Sequence, residues 1–109
     1  MTSLLNTSFF YSPAVGAQVR RALGEEWLPA LRRAAGAGEA LTLAMPAEEG
    51  IERLAIQAPF ASRAEAERFL ATDGSALGDA LTRRFGVEAF TCFSTLMDII
   101  QLPDGRSEG

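Results

Sequence analysis

The chain of 109 residues has no histidine and no lysine, and its only cysteine is Cys92. Each absence removes a class of chemistry. Without histidine there is no imidazole general base, no Ser-His or Cys-His nucleophile pair and no imidazole metal ligand. Without lysine there is no Schiff base and no phosphate-loop lysine. A lone cysteine cannot close an internal disulfide, which fits a reducing compartment. Nowhere do about 18 apolar residues run together, so no membrane span is expected. The opening, Met1 to Asn6, lacks a basic cluster and a long apolar stretch. No signal peptide is therefore expected, and the cytoplasm is the expected location. The net charge of −4 disfavours broad nucleic-acid binding. No Gly-rich phosphate loop, CxxC pair or nucleophile elbow occurs, and the pattern predicts neither cofactor nor metal.

What remains is an ordinary globular composition, 48% hydrophobic, at the size of one domain. Residues 1–103 are read as that domain and 104–109 as a flexible tail. Leu4 to Tyr11 carries the aromatic and β-compatible residues of a strand. Ser12-Pro13 then signals a helix start, with serine as cap and proline in the first turn. Val15, Val19, Ala22, Leu23, Trp27, Ala30, Leu31 and Ala34 recur at helical spacing. Pro29 is expected to kink that helix or divide it near Gly24, because proline lacks the amide donor and crowds the turn before it. Gly36-Ala-Gly38 closes the element.

Ala40 to Met45 and Ile51 to Pro59 read as a hairpin around the polar turn Pro46 to Gly50. Leu54, Ile56 and Ala58 take one face of its second strand, and Arg53, Ala55 and Gln57 the other. Ser62-Arg-Ala-Glu65 is a capping box that opens a second helix. Asp73-Gly74-Ser75 is expected to break this helix in two, with Ser75 capping the second piece. Gly86 stops it behind Arg83 and Arg84, which suit the helix dipole. Val87 to Leu102 supplies a last strand.

The order is β-α-β-β-α-β, a ferredoxin-like α+β arrangement. Right-handed crossovers put both helices on one face of an antiparallel sheet with strand order 4-1-3-2. The other face has too many apolar residues to be solvated. Phe90, Cys92 and Leu96 alternate with Phe93 and Met97, and Phe9 and Phe10 point to opposite sides. A sheet with two apolar faces needs a second cover, and a second copy is the simplest one. A homodimer packed through the open sheet face is expected.

Several short features carry a resemblance. Leu28-Pro29 lies inside the first helix, and Leu54-Ala55-Ile56-Gln57 forms a strand. Ser62 opens the second helix, Arg84-Phe85-Gly86 closes it, and Phe93 lies in the last strand. With Leu5-Asn6-Thr7-Ser8 they resemble a family of small uncharacterised bacterial proteins in the dimeric α+β barrel superfamily. The chain departs from it at Trp27-Leu28-Pro29, where the family usually has His-Ile-Pro, and at Arg20 and Leu23, near family tryptophans. The superfamily also holds cofactor-independent monooxygenases and haem-degrading enzymes. The latter use a histidine ligand that this chain does not have. The resemblance implies a dimeric α+β barrel and names no catalytic residue.

Asn6, Ser8, Arg53 and Gln57 are the candidate ligand-binding residues, because neighbouring strands would bring them to one wall of the open face. A few polar groups on an apolar wall describe a small-ligand pocket. The alternative is that they satisfy one another or the partner subunit. Tyr11, the only tyrosine, ends the first strand and is the fifth candidate, as a donor at a pocket mouth. Cys92 has no activating partner and reads as core filler. The arginine pairs read as solvated faces or as partners of Glu25, Glu26 and Glu65, and Glu48-Glu49 as turn solubility. Trp27 reads as core. The leading expectation is a non-enzymatic module that binds a small, partly apolar ligand or a protein partner. The alternatives are a cofactor-independent monooxygenase-like or isomerase-like enzyme using Asn6, Arg53 or Gln57, and a purely structural subunit.

Overall fold

In the computed structural model, residues 2–103 are described; the 104–109 tail lies outside them. Four strands form one antiparallel sheet in the order β2-β3-β1-β4, where β1 is Ser3–Tyr11, β2 is Leu41–Glu48, β3 is Ile51–Phe60 and β4 is Phe90–Asp98. This is the expected ferredoxin-like topology. Both helices cross behind the sheet and cover one face.

Register assigns the faces. On β1, Ser3, Leu5, Thr7, Phe9 and Tyr11 are all buried, facing the helices. They pair in turn with Phe60, Ala58, Ile56, Leu54 and Glu52 on β3 and with Asp98, Leu96, Ser94, Cys92 and Phe90 on β4. Phe9 is the centre of the core. Its ring meets Trp27 edge-on at 5.1 Å and Phe90 at 6.2 Å, and Trp27 meets Phe69 edge-on at 6.0 Å. Buried polar groups on this face are paired. Thr7 and Ser94 hydroxyls lie 2.8 Å apart, and Ser3 donates to the Asp98 carboxylate at 3.0 Å.

Neither helix breaks where expected, and the reason is the same in both. The first helix (residues 16–33) runs through Gly24 and Pro29, because Leu23–Trp27 winds as a π-turn in which the Leu28 N–H reaches back to the Leu23 carbonyl. The wider winding takes up the crowding that a proline ring inflicts on the preceding turn. The second helix (residues 63–85) likewise continues through Asp73-Gly74-Ser75, with a π-turn at Leu70–Gly74, and the Ser75 side chain caps nothing. Gly74 is there for packing, since a Cβ would come 3.2 Å from the Phe69 ring and carbonyl. The start of the helix follows the sequence: Ser62 Oγ accepts from the Glu65 N–H at 3.2 Å and donates to the Glu65 carboxylate at 2.9 Å.

Two strand boundaries also differ. The hairpin turn is only Glu49-Gly50, both at positive φ (53° and 76°), and β2 continues through Pro46 by way of a bulge between Met45 and Glu48. A proline fits at a bulge, where no ladder donor is needed. Val87–Ala89 forms a turn rather than strand, with the Ala89 and Phe90 N–H groups both returning to the Gly86 carbonyl at 3.1 and 3.0 Å. The last strand ends at Asp98.

β2 differs from the other strands. Seven of its eight residues are exposed, so neither of its faces is covered. The helices rest on β3, β1 and β4 and leave a groove beside β2.

Candidate functional site

The open face of the sheet carries four of the five candidates. Asn6 pairs in register with Gln57 and Thr95, Ser8 with Ala55 and Phe93, and Phe10 with Arg53 and Thr91. Gln57 Nε2 donates to Asn6 Oδ1 at 3.0 Å, and Asn6 Nδ2 donates to Ser8 Oγ at 3.3 Å. The three side chains form one line across adjacent strands, and they satisfy one another. Arg53 stands apart from that line. Its guanidinium donates twice to the Pro46 carbonyl, at 3.0 and 3.2 Å, and pairs with Glu48 at 3.2 Å. That arginine ties the bulged end of β2 to β3.

Around these polar groups the open face is apolar. Leu41, Leu43, Phe93 and Met97 are exposed, and Phe93 stacks on Phe10 with ring centres 5.6 Å apart and planes 15° from parallel. Among the described residues, a cavity of about 330 Å³ touches this face only at the Phe10, Ile51 and Thr91 end of the sheet. Asn6, Ser8 and Gln57 border none of the principal cavities.

Tyr11 lies on the opposite side of the sheet from the other four, because odd-numbered residues of β1 face the helices. Its exposure is 4%. There it borders a cavity of about 270 Å³ with Arg20, Ala44, Glu52 and Leu54, and with Arg53 at the far end. A second cavity of about 160 Å³ adjoins it through Arg20 and Leu54 and is walled by Leu23, Gly24, Leu28, Thr42 and Ile56. A third, of about 290 Å³, continues through Leu28 and Thr42 to Leu31, Arg32 and Ala40. Together they are the groove between the first helix and the helix-side face of β2. It is a concave channel, apolar along Leu23, Leu28, Leu54 and Ile56, with Tyr11, Arg20 and Glu52 at one end and Arg32 and Glu39 at the other. An apolar wall with a few polar groups is the usual form of a small-ligand site.

At that end, Arg20 Nη1 donates to Glu52 Oε1 at 2.9 Å. The Tyr11 hydroxyl and then the Glu52 carboxylate hold the Arg20 guanidinium in its charged form, raising its pKa further. Gly16 makes room for the pair, as a Cβ there would fall 2.6 Å from Glu52 Oε1. This cluster was not among the sequence candidates apart from Tyr11, although one signal existed. Glu52 precedes Leu54 and Ile56 on the same strand face, and a carboxylate on an otherwise apolar face calls for a cationic partner.

The remaining titratable residues are elsewhere. Cys92 is half-buried over Gly78, and burial together with the nearby Asp79 pushes its thiol pKa up. Glu26 receives both Arg84 nitrogens, at 2.8 and 3.0 Å, and its pKa is lowered by that fork. Arg21 pairs with Glu25 within the first helix at 2.9 Å. Among the described residues, no three His, Cys, Asp or Glu side chains converge as a metal-ligating group. Among the same residues, no helix is long and apolar enough to cross a membrane.

Neither a protein-family model nor a curated protein matches the sequence. Solved structures do match. A candidate antibiotic biosynthesis monooxygenase from Deinococcus radiodurans superposes with a TM-score of 0.68 at 16% identity, covering 93% of this chain and 96% of that one. SnoaB, a cofactor-independent oxygenase from Streptomyces nogalater, superposes with a TM-score of 0.66 at 15% identity, over 92% and 95% of the two chains. A dimeric ferredoxin-like protein from an uncultured marine organism gives 0.57 at 8% identity, over 94% and 100%. Likeness at these identities concerns the backbone, and it establishes that this chain has a ferredoxin-like α+β fold.

Proposed function

We propose that the protein is a homodimeric binding module, closed through the open sheet face, in which each subunit takes a small, partly apolar ligand into the groove beside β2. The groove is the observation that carries this reading: β2 is exposed on its helix side, and three adjoining cavities follow it. Exposed Leu41 and Leu43 on β2, and Phe93 and Met97 on β4, put apolar area at both edges of the open face and support the dimer, because exposed apolar area of this kind marks an interaction surface. In this arrangement the Gln57–Asn6–Ser8 line lies inside the subunit interface, where its internal hydrogen bonds lower the cost of burying the amides.

A second reading, a cofactor-independent oxygenase or isomerase, is favoured by the fold shared with SnoaB. Its substrate would have to supply most of the reactivity, because fold likeness alone brings no catalytic group. Native mass spectrometry on protein purified from a neutral host tests the first reading. A dimer mass with an added small mass is the expected result, and a monomer at every concentration would overturn the dimer. Oxygen uptake with the ligand so identified separates the enzyme from the binding module.

A further inference from the structure

The Arg20 end of the groove says more about the ligand than the groove's shape does. Arginine presents five N–H donors in a planar fork. Glu52 engages the fork through Nη1, and the Arg20 side chain remains 54% exposed. Tyr11 is buried and borders the same cavity as Arg20. Arg20 and Leu54 border both adjoining cavities, so the guanidinium lies beside the apolar wall of Leu23, Leu28 and Ile56. A guanidinium with free donors at one end of an apolar channel matches a molecule of the opposite polarity.

We propose that the groove binds small organic anions with an apolar body: a carboxylate, sulfonate or phenolate head on Arg20 and Tyr11, and an aromatic or aliphatic skeleton along Leu54, Leu23, Leu28 and Ile56. This rests on the groove being the ligand site. Glu52 then acts as an internal counter-ion that the incoming head group displaces from part of the fork. It keeps Arg20 oriented in the empty protein and weakens anion binding while doing so. Neutral ligands gain from the apolar wall alone.

The test uses two fluorescent probes of similar skeleton, the anionic anilinonaphthalene sulfonate and the neutral N-phenylnaphthylamine, titrated into the intact protein. Both should bind, and Thr42→Trp, which fills the channel from the exposed strand, should remove both. Arg20→Gln should weaken the anionic probe by about tenfold or more, the size of a lost charge-assisted contact, and leave the neutral probe unchanged. Glu52→Gln should tighten the anionic probe severalfold, which a merely structural ion pair would not do. If Arg20→Gln and Glu52→Gln leave both affinities unchanged while Thr42→Trp removes them, the groove stands as a ligand site and the anion preference is wrong. If neither probe binds, or both survive Thr42→Trp, the groove itself is not the site and both conclusions fall.

Discussion

Replacing Phe93 with alanine should dissociate the proposed dimer while leaving the subunit folded. Phe93 is 56% exposed in the single subunit, on the open face, where it stacks on Phe10. A phenylalanine has about 200 Å² to bury, so roughly 110 Å² of it awaits a partner, worth about 2.8 kcal/mol at 25 cal/mol per Å². Alanine retains part of that area, which leaves a loss of about 2 kcal/mol per copy. A two-fold interface uses the same residue twice, so the dimer should weaken by about 4 kcal/mol, close to a thousandfold in dissociation constant. Within the subunit, only the Phe10 stack is lost, at about 1 kcal/mol. Sedimentation velocity over a dilution series reads the first quantity, and thermal unfolding reads the second. Val87→Ala is the control, since Val87 is 70% exposed but lies in the turn before β4. A Phe93→Ala protein that dimerises as tightly as the parent would refute the assignment of this face, and so would an equal effect from Val87→Ala.

Three further outcomes are expected. Gly24→Ala should raise thermal stability by about 0.5–1 kcal/mol, because Gly24 sits in helical backbone and a Cβ there meets nothing within 4 Å; a drop in melting temperature would contradict the π-turn geometry. The Arg84 fork lowers the pKa of Glu26, so its stabilisation is fully present above the ordinary glutamate range and is lost as pH falls through the lowered value. Melting temperatures of the parent and Arg84→Gln should therefore differ at neutral pH and converge in acid, and a constant gap across pH would show that the pair contributes no linkage. Cys92, with its thiol pKa raised by burial, should alkylate slowly with iodoacetamide at neutral pH and quickly once the protein is unfolded. Equal rates in the two states would place the thiol in the open.

Much of the fold was legible because its determinants are local. Alternation along Leu5, Thr7 and Phe9 against Asn6, Ser8 and Phe10 depends only on the two-residue strand period, and the capping box at Ser62 depends on four consecutive residues. The helix divisions expected near Gly24 and at Asp73-Gly74-Ser75 did not occur. Proline and glycine propensities are weak beside tertiary packing, and here Gly74 fits against Phe69 while a π-turn relieves Pro29. The candidate site was legible in part. Asn6, Ser8 and Gln57 share a wall as their strand positions require, but none of the principal cavities borders them. Tyr11 faces the other way, by the same alternation.

The sequence by itself determined the order of elements, the inward and outward faces of each strand, and the exclusion of histidine and lysine chemistry. These follow from residue identity and from periods of two and about 3.6. Only the tertiary structure decided that the helices stop short of β2 and that Tyr11, Arg20 and Glu52 meet at the end of the groove left there. How far a helix is offset across a sheet is set by the fit of side chains far apart in the chain, such as Phe9, Trp27 and Phe69, and no local period encodes that fit.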